Sequence, residues 1–185
     1  MTQNPIICFL LFVIFVLNGT ACAATDQGSQ EEADMLPEIR RIITVTDEDG
    51  GARVLADGAS PNSVILNNSR ITRLWETREM PVPLDVTRDE GAAAGNAYRE
   101  GFTGSSLYVA DLPPGSDLSD IPIHAQDSLD YIAVLQGEVD LVLPTESITM
   151  RQGDVLVQAG NLHSWVNRSE EPCRLLVVVL TGVRD

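Results

Sequence analysis

The stretch HAQDSLDYIAVLQGEVDLVLP, residues 124–144, carries the clearest structural signal in this sequence. Two apolar runs, YIAVL and VDLVL, flank a short turn centred on Gly137. Runs of this length that contain Val, Ile and Tyr and end at turn residues are typical of β-strands. The stretch therefore predicts a β-hairpin. Its first residue, His124, is one of only two histidines in the chain.

Similar runs continue on both sides of this hairpin. SSLYVADL precedes it, and SITM, DVLVQ, HSWVN and CRLLVVVLTGV follow it, with turn residues about every eight to twelve positions. Before Ser105, the runs IRRIITV, RVLAD, SVIL and ITRLWET have the same character. No window keeps an apolar stripe of helical period for more than about two turns. This pattern predicts an all-β antiparallel sandwich or barrel.

Composition limits the classes of partner and chemistry. The 185 residues are enough for one compact domain with its own core. The formal net charge of −15 repels nucleic acid and anionic lipid headgroups, so we expect no nucleic-acid partner. All twelve basic residues are arginines, which excludes reactions that need a lysine amine, such as Schiff-base formation.

The amino-terminal residues predict an export signal. Residues 6–17 form an apolar run that suits the centre of a signal peptide and is short for a membrane span. Ala21-Cys22-Ala23 fits the small-x-small cleavage pattern, so we predict a signal peptide over 1–23 and a secreted or periplasmic protein. The alternative is a membrane-anchored form, either uncleaved or lipidated at Cys22.

The rest of the chain divides by composition into three parts. Residues 24–37 are small, polar and acidic, and they predict a flexible linker. Residues 38–104 predict N-terminal strands followed by a long loop, and residues 105–185 predict the barrel core. In the loop, Arg99 is a candidate for binding a substrate carboxylate, and an exposed arginine without such a role is the alternative.

Both histidines lie near predicted strand ends. Because side chains alternate along a strand, His124, Gln126 and Asp130 share one face if the strand is regular. His163 follows a tight Ala-Gly-Asn turn and opens a return strand, with Trp165 on its face. Trp165 is a candidate pocket residue or a core residue. In a closed barrel, the two hairpins bring both imidazoles to one interior.

The spacing of the first histidine segment resembles a cupin motif. That motif contains His-x-His, three or four residues, Glu, six residues and Gly. The corresponding positions here are His124, Gln126, Asp130 and Gly137. Gln126 therefore replaces the second histidine, and Asp130 replaces the glutamate.

The second histidine segment resembles the other cupin motif: the spacing from His163 to Asn167 matches, whereas the segment from Gly153 to His163 is one residue shorter than the motif and lacks its proline. The resemblance covers roughly residues 105–182. It implies an all-β, single-domain jelly-roll β-barrel with an N-terminal β extension. The strands before Ser105 would join the barrel or pair with a second subunit, and a homodimer is expected.

The cupin resemblance also implies a divalent metal. The predicted ligands are His124, Asp130 and His163, with Gln126 at the fourth position. Two imidazoles and a carboxylate suit Fe(II), Mn(II) or Zn(II) and leave positions open for substrate. The alternative is a metal-free polar pocket in which Asp130 orients His124 or Gln126.

Three functions are compatible with these residues. The first is a metal-dependent enzyme that acts on a small oxygenated molecule as a lyase, decarboxylase, dioxygenase or isomerase. The second is a metal-free enzyme with His163 or His124 as general base. The third is a non-catalytic module that binds a small ligand. The partner in all three is a small molecule, and a lining of Ile132, Val134 and Trp165 fits an aromatic or moderately apolar one.

Overall fold

A computed structural model describes residues 36–93 and 103–184. Regular structure in these ranges consists of strands and one short helix, and every strand pair is antiparallel. The elements are β1 Arg40–Thr46, β2 Ala52–Ala59, β3 Ser63–Leu66, β4 Ser69–Thr77, α1 Glu90–Ala93, β5 Ser105–Leu112, β6 Ser128–Gln136, β7 Glu138–Val142, β8 Ser147–Arg151, β9 Val155–Ala159, β10 Ser164–Val166 and β11 Cys173–Thr181.

The strands form three sheets. The largest has six strands in the order β3-β4-β5-β11-β6-β9, and a second has three in the order β10-β7-β8. β1 and β2 form a separate two-stranded sheet. The jelly-roll prediction is confirmed. Of the two alternatives for the strands before Ser105, joining the barrel or pairing with a second subunit, β3 and β4 follow the first, because they belong to the six-stranded sheet.

The core lies between the six-stranded and three-stranded sheets. Alternation along each strand selects its members, because every second side chain of a strand faces the same side. In β11, Cys173, Leu175, Val177 and Val179 are buried, whereas the residues between them are only partly covered. The Cys173 thiol is fully enclosed, and burial raises its pKa to about 12, as expected of a cysteine that serves as a small apolar residue.

The turn between β6 and β7 depends on a glycine. Gly137 has a φ of 75°, a backbone conformation that L side chains rarely adopt. A Cβ atom at this position would lie 2.6 Å from the carbonyl oxygen of Pro172. The predicted turn residue is therefore required both by its backbone angle and by the close approach of the segment that enters β11.

A buried carboxylate anchors the segment before β1. Asp111, on the outer face of β5, accepts hydrogen bonds from the guanidinium groups of Arg70 and Arg174 at 2.5–3.0 Å. The same two arginines donate to the carbonyl oxygens of Leu36 and Pro37. Leu36 is buried. The last two residues of the predicted linker are thus attached to the barrel.

The two-stranded sheet is held to the barrel by another arginine. Arg41, on β1, is buried and donates to the carbonyl oxygen of Leu74 at 2.8 Å and to the carboxylate of Asp89. Asp89 also accepts a hydrogen bond from the backbone N–H of Ala92 in α1. An isolated hairpin is only marginally stable, so these contacts fix its position.

Several predicted features lie outside the described residues. They are the signal peptide over 1–23, the lipid-anchor candidate Cys22, residues 24–35 of the linker and the loop residue Arg99. No helix in residues 36–93 or 103–184 combines the length and the apolar character needed to cross a membrane.

We predict that Asp111→Asn lowers the free energy of unfolding by about 3 kcal/mol, because two guanidinium groups lose a buried counter-charge. Urea denaturation measures the change. Asp57→Asn is the matched control, since Asp57 forms an exposed pair with Arg40 and its loss should leave stability nearly unchanged. Equal effects of the two substitutions would contradict the anchoring role of Asp111.

Candidate functional site

A cavity of about 1070 Å³ lies inside the barrel. Its inner wall is apolar, and it is formed by strands of the six-stranded sheet together with β10. The opening is lined by the exposed residues Leu66, Met80 and Val183. The inner wall includes Ile71, Tyr108, Leu112, Ile132, Leu175 and Val177.

Most of the predicted site residues meet in this cavity. His124, Gln126, Asp130, His163 and Trp165 all line it. Of the apolar residues expected there, Ile132 also lines the cavity. The expectation for Val134 is wrong: its side chain is not among the lining residues and packs in the core, two positions further along β6.

The two histidines are joined through their backbones. The N–H of each donates to the carbonyl oxygen of the other at 2.9 Å, which makes an isolated antiparallel bridge. Their ring centroids are 4.4 Å apart, and the ring planes are inclined by 50°. The edge of Trp165 meets the His163 ring at a centroid distance of 6.2 Å. The predicted convergence of the imidazoles is thus present in the structure.

Hydrogen bonds to the backbone fix which ring nitrogen carries the proton. Nδ1 of His124 is 3.0 Å from the carbonyl oxygen of Pro122, and Nδ1 of His163 is 2.9 Å from that of Asn161. A carbonyl oxygen can only accept, so a neutral ring must place its proton on Nδ1. The other nitrogen, Nε2, then has a free lone pair in each ring.

Gln158 is a site residue that the sequence reading missed. It pairs with Asp130 in the β6–β9 register, it is buried, and its amide nitrogen Nε2 is 2.6 Å from Nδ1 of His163. Because Nδ1–H and the amide N–H groups are all donors, the amide must be turned so that Oε1, which has no other partner among the described residues, accepts from Nδ1. The alternation of DVLVQ, in which Leu156 and Gln158 face inward and the valines outward, is the signal that places it in the site.

Asp130 is a buried carboxyl group with an open oxygen. Its side chain is 5% exposed, and Oδ1 has no hydrogen-bond partner among the described residues. Burial raises the pKa of this carboxyl, and the nearby Ser128 hydroxyl and His124 ring act in the opposite direction. A carboxyl in this environment takes up a proton more readily than one in water.

The pKa of His163 is lowered, whereas that of Asp130 is raised. Burial lowers its pKa, and the neighbouring His124 ring acts in the same direction, whereas the bond to the Asn161 carbonyl opposes it. The neutral form of His163 is therefore favoured. The cavity combines a carboxyl group that is easier to protonate with an imidazole that is harder to protonate.

Comparison with known proteins agrees with this architecture. The family model described as "Cupin domain" matches residues 108–179. The phomopsin biosynthesis cluster protein C′ of Diaporthe leptostromiformis is 34% identical over an alignment of 155 positions, and the match covers 77% of this chain and 79% of the relative. The chain belongs to the cupin superfamily.

Two further proteins are similar to this chain. A cupin-domain-containing oxidoreductase of Hypocrea virens, virC, is 32% identical over 148 residues, covering 77% of this chain and 75% of the relative. Among solved structures, the cupin domain of Schizosaccharomyces pombe Cnp3 aligns with a TM-score of 0.46 and 16% identity, over 78% of this chain and 89% of that one.

The predicted metal ligands His124, Asp130 and His163 all line the cavity, but their side chains are not arranged around a common point. Within the described ranges, no group of three or more His, Cys, Asp or Glu side chains is placed so that it could hold a metal ion. The set of His124, Asp130 and His163 therefore does not fit a metal ion in this arrangement. Metal binding by this cupin stays a prediction.

We predict that His163 makes stability depend on pH below about 6.5. Since its folded pKa lies below the ordinary value, the unfolded chain binds more protons there, and the free energy of unfolding falls as pH decreases. The slope for one proton is at most about 1.4 kcal/mol per pH unit. Denaturation between pH 7.5 and 5.5 should therefore show a steeper loss in the wild type than in His163→Gln.

His124→Gln is the control for this measurement, because it leaves His163 in its buried position. It should retain most of the pH dependence that His163→Gln removes. Identical pH profiles for wild type and His163→Gln would contradict the assignment.

Proposed function

We propose that this cupin is an enzyme that transfers protons on a small oxygenated organic molecule bound in the barrel cavity. The observation that carries the proposal is the pair of imidazoles, 4.4 Å apart, beside a buried carboxyl group at the cavity wall. The reaction class is isomerisation, or dehydration when the substrate can lose water. Neither requires electrons to enter or leave the site.

The geometry supports His163 as the general base. Its lowered pKa keeps the ring neutral, and its proton is held on Nδ1 by Asn161, so Nε2 can accept a proton from the substrate. Gln158 orients the ring from the same side as Asn161. The nearby His124 ring has the same proton arrangement and lies close enough to contact the same substrate atom or its neighbour.

Asp130 supports the return of a proton. Its raised pKa and the unpartnered Oδ1 atom support Asp130 as the acid of the site, because a raised pKa favours the protonated form of a carboxyl group. The acid, Asp130, thus lies on β6, and the base, His163, lies in the segment before β10. Opposite pKa displacements of neighbouring groups are a common arrangement for acid–base catalysis.

The relatives support an enzyme-like role at a coarser level. They are named as biosynthesis cluster proteins and as cupin-domain-containing oxidoreductases. An oxidoreductase needs an electron donor or acceptor in addition to proton-transfer groups.

A second candidate is the metal-dependent enzyme predicted from the motif, since a bound metal ion could supply that electron transfer. The Nε2 lone pair of each histidine favours this candidate, because metal-bound histidines commonly donate Nδ1–H to a carbonyl oxygen.

Export belongs to the proposal as well. The apolar run over 6–17 and the Ala21-Cys22-Ala23 pattern support a mature chain that begins at Ala24 and acts outside the cytoplasm. Mass spectrometry of the protein recovered from its native host would give the first residue. We expect Ala24, and a chain that retains residue 1 or carries lipid on Cys22 would contradict this part of the proposal.

The catalytic proposal predicts solvent deuterium incorporation into a substrate. A panel of small hydroxy-ketones, enols and phenolic aldehydes is incubated with the enzyme in D₂O and followed by NMR. His163→Gln should reduce the exchange rate by about 10²- to 10⁴-fold, the usual contribution of a general base. Asp130→Asn should also reduce it, because the proton donor is lost.

Tyr131→Phe is the matched control for Asp130→Asn. Tyr131 is the next residue along β6, is 42% exposed and lies on the opposite face. The exchange rate of the Tyr131→Phe variant should therefore equal that of the wild type. The enzyme is also tested after chelation and after addition of Fe(II), Mn(II) or Zn(II). Retained activity without metal supports the proposal, whereas activity that requires an added ion would replace it with the metal-dependent candidate.

A further inference from the structure

The arginines of the cavity walls all turn away from the cavity. Arg70 lies on β4 between the lining residues Ser69 and Ile71, and Arg174 precedes the lining residue Leu175 on β11. Both guanidinium groups bond to Asp111 on the outer face of the sheet. Among the described residues that line the cavity, no side chain is Arg or Lys.

One arginine reaches the rim, but its hydrogen bonds are made within the protein. Arg184 donates to the carboxylate of Asp127 and to the carbonyl oxygens of Gln126 and Gly160. Asp127 balances its charge, so the Arg184–Asp127 pair as a whole offers a ligand no net charge. The two acidic residues of the lining are Asp127 and Asp130, and neither attracts an anion.

Among the residues that the structure describes, which do not include Arg99, an anion in this cavity would therefore find no counter-charge. Removing a carboxylate or phosphate from water costs several kcal/mol unless a cation or several N–H donors replace the lost hydration. A neutral molecule avoids that cost and gains from burying its apolar surface against residues such as Leu112 and Val177. The described lining residues therefore favour ligands that are both uncharged and largely apolar.

The histidine pair adds a requirement for a hydrogen-bond donor. In its neutral form, each ring uses its Nδ1 proton on a backbone carbonyl oxygen, that of Pro122 for His124 and that of Asn161 for His163. The remaining nitrogens can only accept, so a ligand that bonds to His124 or His163 must supply the hydrogen. Hydroxyl, phenol and enol groups do so, whereas a carboxylate presents further acceptors.

From these observations we propose that the substrate is an uncharged, mainly apolar molecule with an O–H group at one end. The O–H end lies against His124 and His163, and the apolar end lies against the inner wall. The proposal rests on the proposed function for the choice of cavity, but it concerns which molecules bind there and not whether they react. The class excludes sugar phosphates, nucleotides and carboxylic acids as substrates.

The test compares two ligands of nearly equal size, 4-butylphenol and 4-butylbenzoate. Binding to the full chain is measured by calorimetry at pH 8.0, where both an imidazole and a phenol are neutral. We expect the phenol to bind at least tenfold more tightly, with a ratio that persists between 0.05 and 0.5 M NaCl. Equal or tighter binding of the benzoate, or no binding of the phenol at millimolar concentration, would overturn the proposal.

Two adjacent residues of β3 provide a matched pair of variants. Leu66 lines the cavity opening, whereas its neighbour Ile65 is 60% exposed and is not a lining residue. Leu66→Arg should raise benzoate affinity at least fivefold by supplying the missing cation, and Ile65→Arg should leave it within twofold. Equal gains from both variants would attribute the effect to net charge and overturn the role of the cavity lining.

The outcomes also separate this proposal from the catalytic one. Selective binding of the phenol without any exchange that depends on His163 would retain the ligand class and reject the proposed reaction. Exchange that depends on His163 but prefers a carboxylate substrate would retain the reaction and reject the ligand class.

Discussion

The reciprocal backbone bridge between His124 and His163 is the constraint on which the site depends. It joins the segment before β6 to the turn after β9, and these segments are 39 positions apart along the chain. Because both N–H groups and both carbonyl oxygens are used, the bridge fixes the position of each Cα atom relative to the other. The rings, 4.4 Å apart, follow from that placement. Without this pair of hydrogen bonds, each histidine would belong to a separate loop.

The same strand alternation that forms the core also forms the cavity. Inward-facing residues of β6 and β11 pack against the three-stranded sheet at one end, where Val134 and Cys173 are enclosed. Towards the other end, the inward positions of β6 are occupied by Asp130 and Ser128, and the sheets leave space between them. The polar end of the site is thus continuous with an apolar wall, so a bound molecule contacts both without any separate binding element.

Alternation and turn residues were sufficient to predict an all-β antiparallel sandwich or barrel, and the resemblance to the cupin motifs supplied the jelly-roll fold. The runs SVIL, SSLYVADL and CRLLVVVLTGV contain observed strands, and the spacing around His124 and His163 predicted that they would meet. The role of Gln158 was not predictable in the same way, because it depends on the pairing of β6 with β9 and on the direction of a side-chain amide. The metal set illustrates the same limit: spacing brings ligand types into one cavity, but ligand distances depend on side-chain conformation.

Two buried aspartates of this fold have opposite hydrogen-bonding environments. Asp111 and Asp130 are both nearly inaccessible, at 1% and 5% exposed. Four hydrogen bonds from Arg70 and Arg174 satisfy Asp111, whereas Oδ1 of Asp130 has no partner among the described residues. A buried polar atom without a partner costs about 1–3 kcal/mol. Since this fold can supply arginines to a buried carboxylate, the place where it supplies none is the place where a ligand can complete the hydrogen bonding.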